Sequence, residues 1–265
     1  MKGLWRRRTA WLICVASIAM TVAAPTATPQ TADRNALWRK VHDICAVKAK
    51  EDIFPPSPCI EVHGGFGGYA IFKDQHGPYQ YLLIPSSRIS GIESPKLLHP
   101  DTPNYFALAW NARGYVERAI GRKQPRDVMS LVLNSSEGRS QDQLHIHVDC
   151  IRKDVHDAIA QQLPNLSEHW VWLPGGLPPN GHRYMARRLN TESLSIDPVK
   201  DLSHSLPPGD HLSAHSIVVV GVSDPTTGPG FVLLSGRVDE ASGDRGNADD
   251  LQDTACFMAQ RSEHP

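Results

Sequence analysis

Basic charge is scarce in this sequence beyond its first eight residues. The 265 residues carry 27 Lys and Arg against 28 Asp and Glu, a formal net charge of −1. Four of the bases, Lys2, Arg6, Arg7 and Arg8, stand at the extreme N-terminus, and without those four the rest of the chain carries −5. That balance leaves no basic surface for nucleic acid. Long apolar runs are missing after residue 24, so no tract reads as a tunnel for acyl chains. The glycines at 64, 65, 67 and 68 are not followed by a helix start with a lysine, which excludes a phosphate-cradling loop of the nucleotide-triphosphatase kind and leaves a flexible turn.

What is present begins with an address. The four N-terminal bases precede an uncharged apolar run of 16 residues, Thr9 to Ala24, and a loose segment from Pro25 to Asp33. This is the pattern of an export signal. Small residues at Val22, Ala23 and Ala24 suit cleavage, whereas Pro25 directly after them disfavours it, so two outcomes stand. In one, residues 1–32 stay as a single-pass anchor and linker in the membrane, with the domain 33–265 outside the cytoplasm. In the other, the cleaved domain is free outside the cytoplasm. The arginines stay inside, and everything after about Thr28 lies outside.

Setting aside Cys14 within the apolar run, four cysteines remain, Cys45, Cys59, Cys150 and Cys256. An even number in an oxidising compartment predicts two disulfides. Three pairings are open. Cys45 with Cys59, across the proline-rich turn at 55–58, and Cys150 with Cys256, tying the tail to the core, is the favoured one.

The centre of interest is Gln143 to Cys150, which alternates strictly. On a strand this puts His145, His147 and Asp149 on one face and Leu144, Ile146, Val148 and Cys150 on the other, toward a core. Two neutral imidazoles about 7 Å apart along a strand can attack phosphorus, bind a metal or relay protons. Around this strand the pattern predicts a helix over Asn35–Val47 with Leu37, Val41, Ile44 and Val47 as its stripe. It then predicts strands at Tyr69–Lys73 and Tyr79–Ile84, a helix over Pro103–Ile120, a strand at Met129–Leu133, a polar turn over Asn134–Gln141, and a helix over Asp154–Leu163. Further on, Ser216–Val220 and Phe231–Ser235 form a second hairpin, either a diverged repeat of the first or an ordinary hairpin. Asn190–Asp210 reads as an irregular connection.

The order of hairpin, helix, strand, Asn-bearing turn and histidine strand resembles the histidine triad superfamily. More closely, Ser57–Val62, Gly77–Pro85, Gly91–Pro95, Pro103–Phe106, Leu173–Leu177 and Tyr184–Arg188 resemble the bacterial CDP-diacylglycerol pyrophosphatases, membrane-associated hydrolases of that superfamily, across about Cys45 to Arg188. The resemblance implies an α+β fold, a histidine triad-like antiparallel sheet with flanking helices. Its motif-bearing half spans about 33–165 and its C-terminal half about 166–265, with an internal pseudo-dimer of two such units as a further option. It also implies hydrolysis of CDP-diacylglycerol to CMP and phosphatidate, with no cofactor and no metal. The triad register falls on Gln143, His145 and His147, so His145 takes the nucleophile's place, and Gln143 departs from the first histidine. His147 is expected to contact phosphoryl oxygens and protonate the leaving group. Asn134, Ser140, Gln141 and Gln143 are expected to bind phosphate, and Arg187 and Arg188 either hold a second phosphate or sit on a helix face. Lys73, His76 and Arg88 lie near the hairpin and either face substrate or are solvated loop residues.

Two other classes stay open at this point. His145, His147 and Asp149 also have the spacing that opens a zinc site in metallo-β-lactamase-like hydrolases, although Cys150 stands where that motif continues with histidine. A protein that binds nucleotide or lipid without turnover would equally explain the loss of one triad histidine.

Overall fold

Short apolar segments alternating with glycine and proline dominate the sequence, and they assemble into one sheet. In the computed structural model, residues 33–261 are described; the export and anchor reading of residues 1–32 lies outside them. The strands are β1 (Cys59–His63), β2 (Tyr69–Lys73), β3 (Tyr81–Pro85), β4 (Met129–Leu133), β5 (Ile146–Cys150), β6 (Val171–Trp172), β7 (Tyr184–Leu189), β8 (His215–Asp224) and β9 (Gly228–Arg237). Their order is β1-β2-β3-β5-β4-β8-β9-β7-β6, with every neighbouring pair antiparallel. The helices are α1 (Ala36–Arg39), α2 (Ala46–Lys50), α3 (Tyr105–Ile120), α4 (Lys153–Gln162), α5 (Pro198–Ser205) and α6 (Phe257–Arg261). The α+β expectation with an antiparallel sheet holds. Among the described residues no helix is long and apolar enough to cross a membrane.

Both faces of the sheet are covered, as its nearly continuous apolar strands require. On one face Leu131, Leu133, Ile146, Val148, Leu233 and Phe231 pack against α3 through Phe106, Ala109, Trp110 and Val116, and against α5 through Val199 and Leu202. The other face carries two separate clusters. At the β2–β3 end, Ala70, Phe72, Leu82 and Ile84 pack on Leu37, Val41 and Cys45. Toward β8 and β9, Val132, Val218, Val220, Val232 and Leu234 pack on Val155 and Ile159 of α4. The histidine face of β5 lies between these two clusters, with His147 opposite Leu82 on β3 and Val132 on β4.

The first helix departs from its expected stripe. Lys40–Cys45 is a π-helical turn between α1 and α2, and the wider turn advances the buried positions to Leu37, Val41 and Cys45. Ile44 and Val47, expected inside, are exposed. Two further differences lie in the C-terminal half. Arg187 and Arg188 sit on strand β7 rather than a helix face, and the stretch read as irregular contains α5, started by Asp197, whose carboxylate accepts the N–H groups of Val199 and Lys200. Pro198 at the first helical position suits that start. β1 was also not anticipated from its short mixed sequence; its pairing to β2 supplies the periodicity it lacks.

The disulfides are Cys45–Cys59 and Cys150–Cys256, the favoured pairing. Two such bridges fit an oxidising compartment.

Candidate active site

Strand alternation on β5 and its lead-in brings His145 and His147 to the same side, with ring centroids 5.1 Å apart and planes tilted by 58°. They form the floor of a cavity of about 660 Å³. One wall is Ala36, Leu37 and Lys40 from the N-terminal helical stretch, with Phe72 and Leu82 beside it; another is the turn after β3's hairpin partner, Asp74 to Gly77, with Gln80. Asn134, Gly138, Ser140 and Gln141 from the polar turn, and Asn247, Asp249 and Thr254 from the C-terminal segment, complete it.

The two imidazoles are held differently. His145 Nδ1 lies 2.7 Å from the carbonyl oxygen of Gln143. A carbonyl can only accept, so Nδ1 carries the hydrogen and the lone pair is on Nε2. His147 has both ring nitrogens buried with no hydrogen-bond partner among the described residues, an arrangement that a ligand's polar atoms would complete. Burial pushes both rings down to about 4, and for His145 the neighbouring His147 adds to it. Both are therefore neutral around pH 7.

Gln143 lies outside the cavity. Its amide nitrogen donates to the carbonyls of Pro85 and Ser87, each at 2.9 Å, while its own main-chain carbonyl holds His145. The expectation that it binds phosphate is corrected: its side chain fixes the loop after β3, and its main-chain carbonyl orients the His145 ring. Gln143→Leu strips the donor from the buried Pro85 carbonyl and the partly buried Ser87 carbonyl, at about 1–3 kcal/mol for an unsatisfied buried group. We expect a lower melting temperature and a fall in kcat with little change in KM, read by thermal unfolding beside steady-state kinetics; unchanged values of all three would contradict this role.

Asn134 lines the cavity, with its amide oxygen and one of its two amide hydrogens engaged within the protein. Oδ1 accepts the N–H of Ala248 and of Asp249, and Nδ2 donates to Asp249 Oδ1 at 3.1 Å. It caps the short turn that carries Asn247 and Asp249 to the cavity. Gln141 likewise reaches the wall while binding the N–H of Leu37 and the carbonyl of Asp33, so it sets the start of α1. Ser140 lines the wall beside it.

Arg187 and Arg188 are not among the lining residues. Arg187 pairs with Asp201, and Arg188 binds Asp224 at 2.8 Å and Asn190 at 2.7 Å. Strand alternation sends them to opposite faces of β7, into ion pairs already complete, and the expectation of a second phosphate site there is not met. Of the residues near the hairpin, Lys73 ties its own turn through the carbonyls of Asp74 and Gly77, and Arg88 stacks on Trp38. His76 does line the cavity, beside Asp74.

Lys40 is the residue sequence reasoning missed. It is the one Lys or Arg among the described lining residues, and its ammonium lies 5.7 Å from the centre of the Phe72 ring. Only the long-range packing of the first helix on β2 and β3 places it there.

Asp149 shares the histidine face but does not line the cavity. Its Oδ1 accepts the Cys150 N–H at 2.8 Å and lies 3.4 Å from Cys256 Sγ, and Oδ2 is buried without a partner. The one grouping of three metal-ligand types among the described residues is Asp149, Cys150 and Cys256, and those two sulfurs are bonded to each other. The His145, His147 and Asp149 ligand set of the zinc reading is therefore not assembled. His215, held between Ser235 and Asp210, is itself buried.

Burial pushes the Asp149 carboxyl up to about 8 from its ordinary 3.8. A raised carboxyl contributes stability that is complete below 3.8 and is lost as pH rises through 8. Relative to Asp149→Asn, wild type should therefore lose at least about 1 kcal/mol of stability between pH 5 and pH 9. Urea melts at the two pH values read this directly, and a gap that does not move with pH would contradict it.

Two neutral nitrogen bases beside amide and hydroxyl groups in one cavity are the equipment of a hydrolase. The protein-family model described as CDP-diacylglycerol pyrophosphatase matches residues 32–260. The chain belongs to that family, and it is a hydrolase whose substrate is CDP-diacylglycerol.

Proposed function

We propose that His145 is the nucleophile in hydrolysis of CDP-diacylglycerol to CMP and phosphatidate. The observation that carries this is the Gln143 carbonyl 2.7 Å from His145 Nδ1, which fixes the tautomer with its lone pair on Nε2. In the first step Nε2 forms a bond to the phosphorus of the CMP half, and the bond from that phosphorus to the bridging oxygen breaks, releasing phosphatidate. A phosphate is a good leaving group, so no proton donor is needed, and neutral His147 hydrogen-bonds the phosphoryl oxygens instead of supplying a proton. In the second step a water takes the vacated position and His147 accepts its proton. The water oxygen bonds to phosphorus, the P–N bond breaks, and CMP leaves. Lys40 supplies the positive charge opposite the pyrophosphate, and phosphoryl transfer depends mainly on such positioning and charge.

The sheet supports a histidine triad-like reading in two halves, β1-β2-β3-β5-β4 and β8-β9-β7-β6, of which only the first carries a His-x-His. The basic and apolar N-terminal run supports a catalytic domain held at a bacterial inner membrane from the periplasmic side.

Lys40→Gln should raise KM about tenfold or more while kcat moves less, since a charge-assisted hydrogen bond contributes about 1.5–3 kcal/mol, and Lys40→Arg should restore most of the loss. Equal KM values for the three proteins would remove Lys40 from the site. The reaction class is tested by CMP release with EDTA present: activity that persists supports a histidine nucleophile, and activity that disappears would favour a metal site.

A further inference from the structure

We propose that Ile44, Val47, Ile53 and Phe54 form a surface that seats the catalytic domain on the lipid bilayer holding its substrate. The proposal rests on the reading of the cavity as the site for CDP-diacylglycerol and extends it to where the lipid tails go.

Among the described residues these four are exposed by 40%, 43%, 47% and 65%. The π-helical turn turns Ile44 and Val47 outward. Ile53 follows at the end of α2, its N–H bound to the Lys48 carbonyl at 2.9 Å, and Phe54 comes next. The Cys45–Cys59 bridge fastens this stretch to β1. Of the nine exposed large apolar residues among those described, these four fall within eleven residues of this one disulfide-fastened segment, the others standing at 66, 98, 171, 172 and 257, and such a concentration points to an interaction surface.

Three observations point to a bilayer as the occupant. The cavity is about 660 Å³. That is room for a headgroup but not for two long acyl chains, which must stay in lipid. The helical stretch that carries Ile44 and Val47 outward also carries Leu37 and Lys40 into the cavity wall, so the surface and the headgroup site are two sides of one element. Finally, the apolar run Thr9–Ala24 joins the domain at Asp33, three residues before α1.

The test uses the full chain carrying Phe54→Trp, in vesicles of phosphatidylcholine and phosphatidylglycerol with and without brominated acyl chains. The emission added by the introduced indole should be quenched by bromine. An added emission that bromine leaves untouched, whether water or the chain's own N-terminal run covers the position, overturns the proposal. A second readout is hydrolysis. The double variant Ile53→Ser, Phe54→Ser should lose roughly tenfold on long-chain substrate in vesicles and nothing on a short-chain, water-dispersed CDP-diacylglycerol. Equal losses on both substrates, or none on either, would also overturn it. The quenching does not depend on turnover, so a wild type that hydrolyses neither substrate would sink the functional reading and leave the docking surface to be decided by bromine alone.

Discussion

His145→Ala is expected to lower CMP release by roughly 10³-fold or more, because removing a nucleophile abolishes the route rather than weakening a contact. The side chain makes one hydrogen bond, to Gln143, so the protein should remain folded. His147→Ala should cost less, about 10²–10⁴-fold for a base and phosphate contact. It should not lower the melting temperature much, since both nitrogens of His147 are already buried without partners. Steady-state rates beside thermal melts separate these expectations. Near-wild-type turnover in His145→Ala would move the nucleophile elsewhere, and an equal collapse in both variants with loss of folding would make the pair structural.

Removing the Cys150–Cys256 bridge is expected to be the largest single loss of stability. The cysteines are 106 residues apart, and closing a loop of that size restricts the unfolded chain by about 4–5 kcal/mol on the chain-entropy account. Against a total of about 5–15 kcal/mol, the Cys150→Ser, Cys256→Ser variant should melt roughly 10 °C or more lower. Activity should fall too, because the same bridge anchors the segment that brings Thr254 to the cavity and whose Asp253 N–H binds the Cys150 carbonyl at 2.9 Å. Cys45–Cys59, 14 residues apart, closes a smaller loop worth about 3 kcal/mol, and its loss should show first as a raised KM through Lys40. Melting with and without reductant measures both; a wild type whose melting temperature ignores reductant would contradict the assignment.

Which parts of this were legible in the sequence follows from the range of the interactions involved. Strand alternation is local, so β2, β4 and the face shared by His145 and His147 could be read from neighbouring residues. The disulfide pairing was a choice among three. The internal partners of Gln143 and Asn134 were not legible, because an amide near a phosphate-binding motif looks like a ligand until its partners are known, and those partners, Pro85, Ser87, Ala248 and Asp249, lie about 58 and 115 residues away; of the two, only Gln143 is kept out of the cavity. Arg187 and Arg188 failed for the same reason: Asp201 and Asp224 take them first. Lys40 and the outward turn of Ile44 were hidden by a π-helical turn, which breaks the 3.6-residue period on which a helical stripe is counted.

The most direct measurement is covalent trapping. Enzyme mixed with CDP-diacylglycerol labelled in cytidine is quenched in alkali, where a phosphorus–nitrogen bond to histidine survives, then digested and mapped. Label on the peptide at His145, formed at least as fast as CMP is released, is the expected result. CMP release with no label on protein, or label at His147 instead, would contradict a nucleophilic His145.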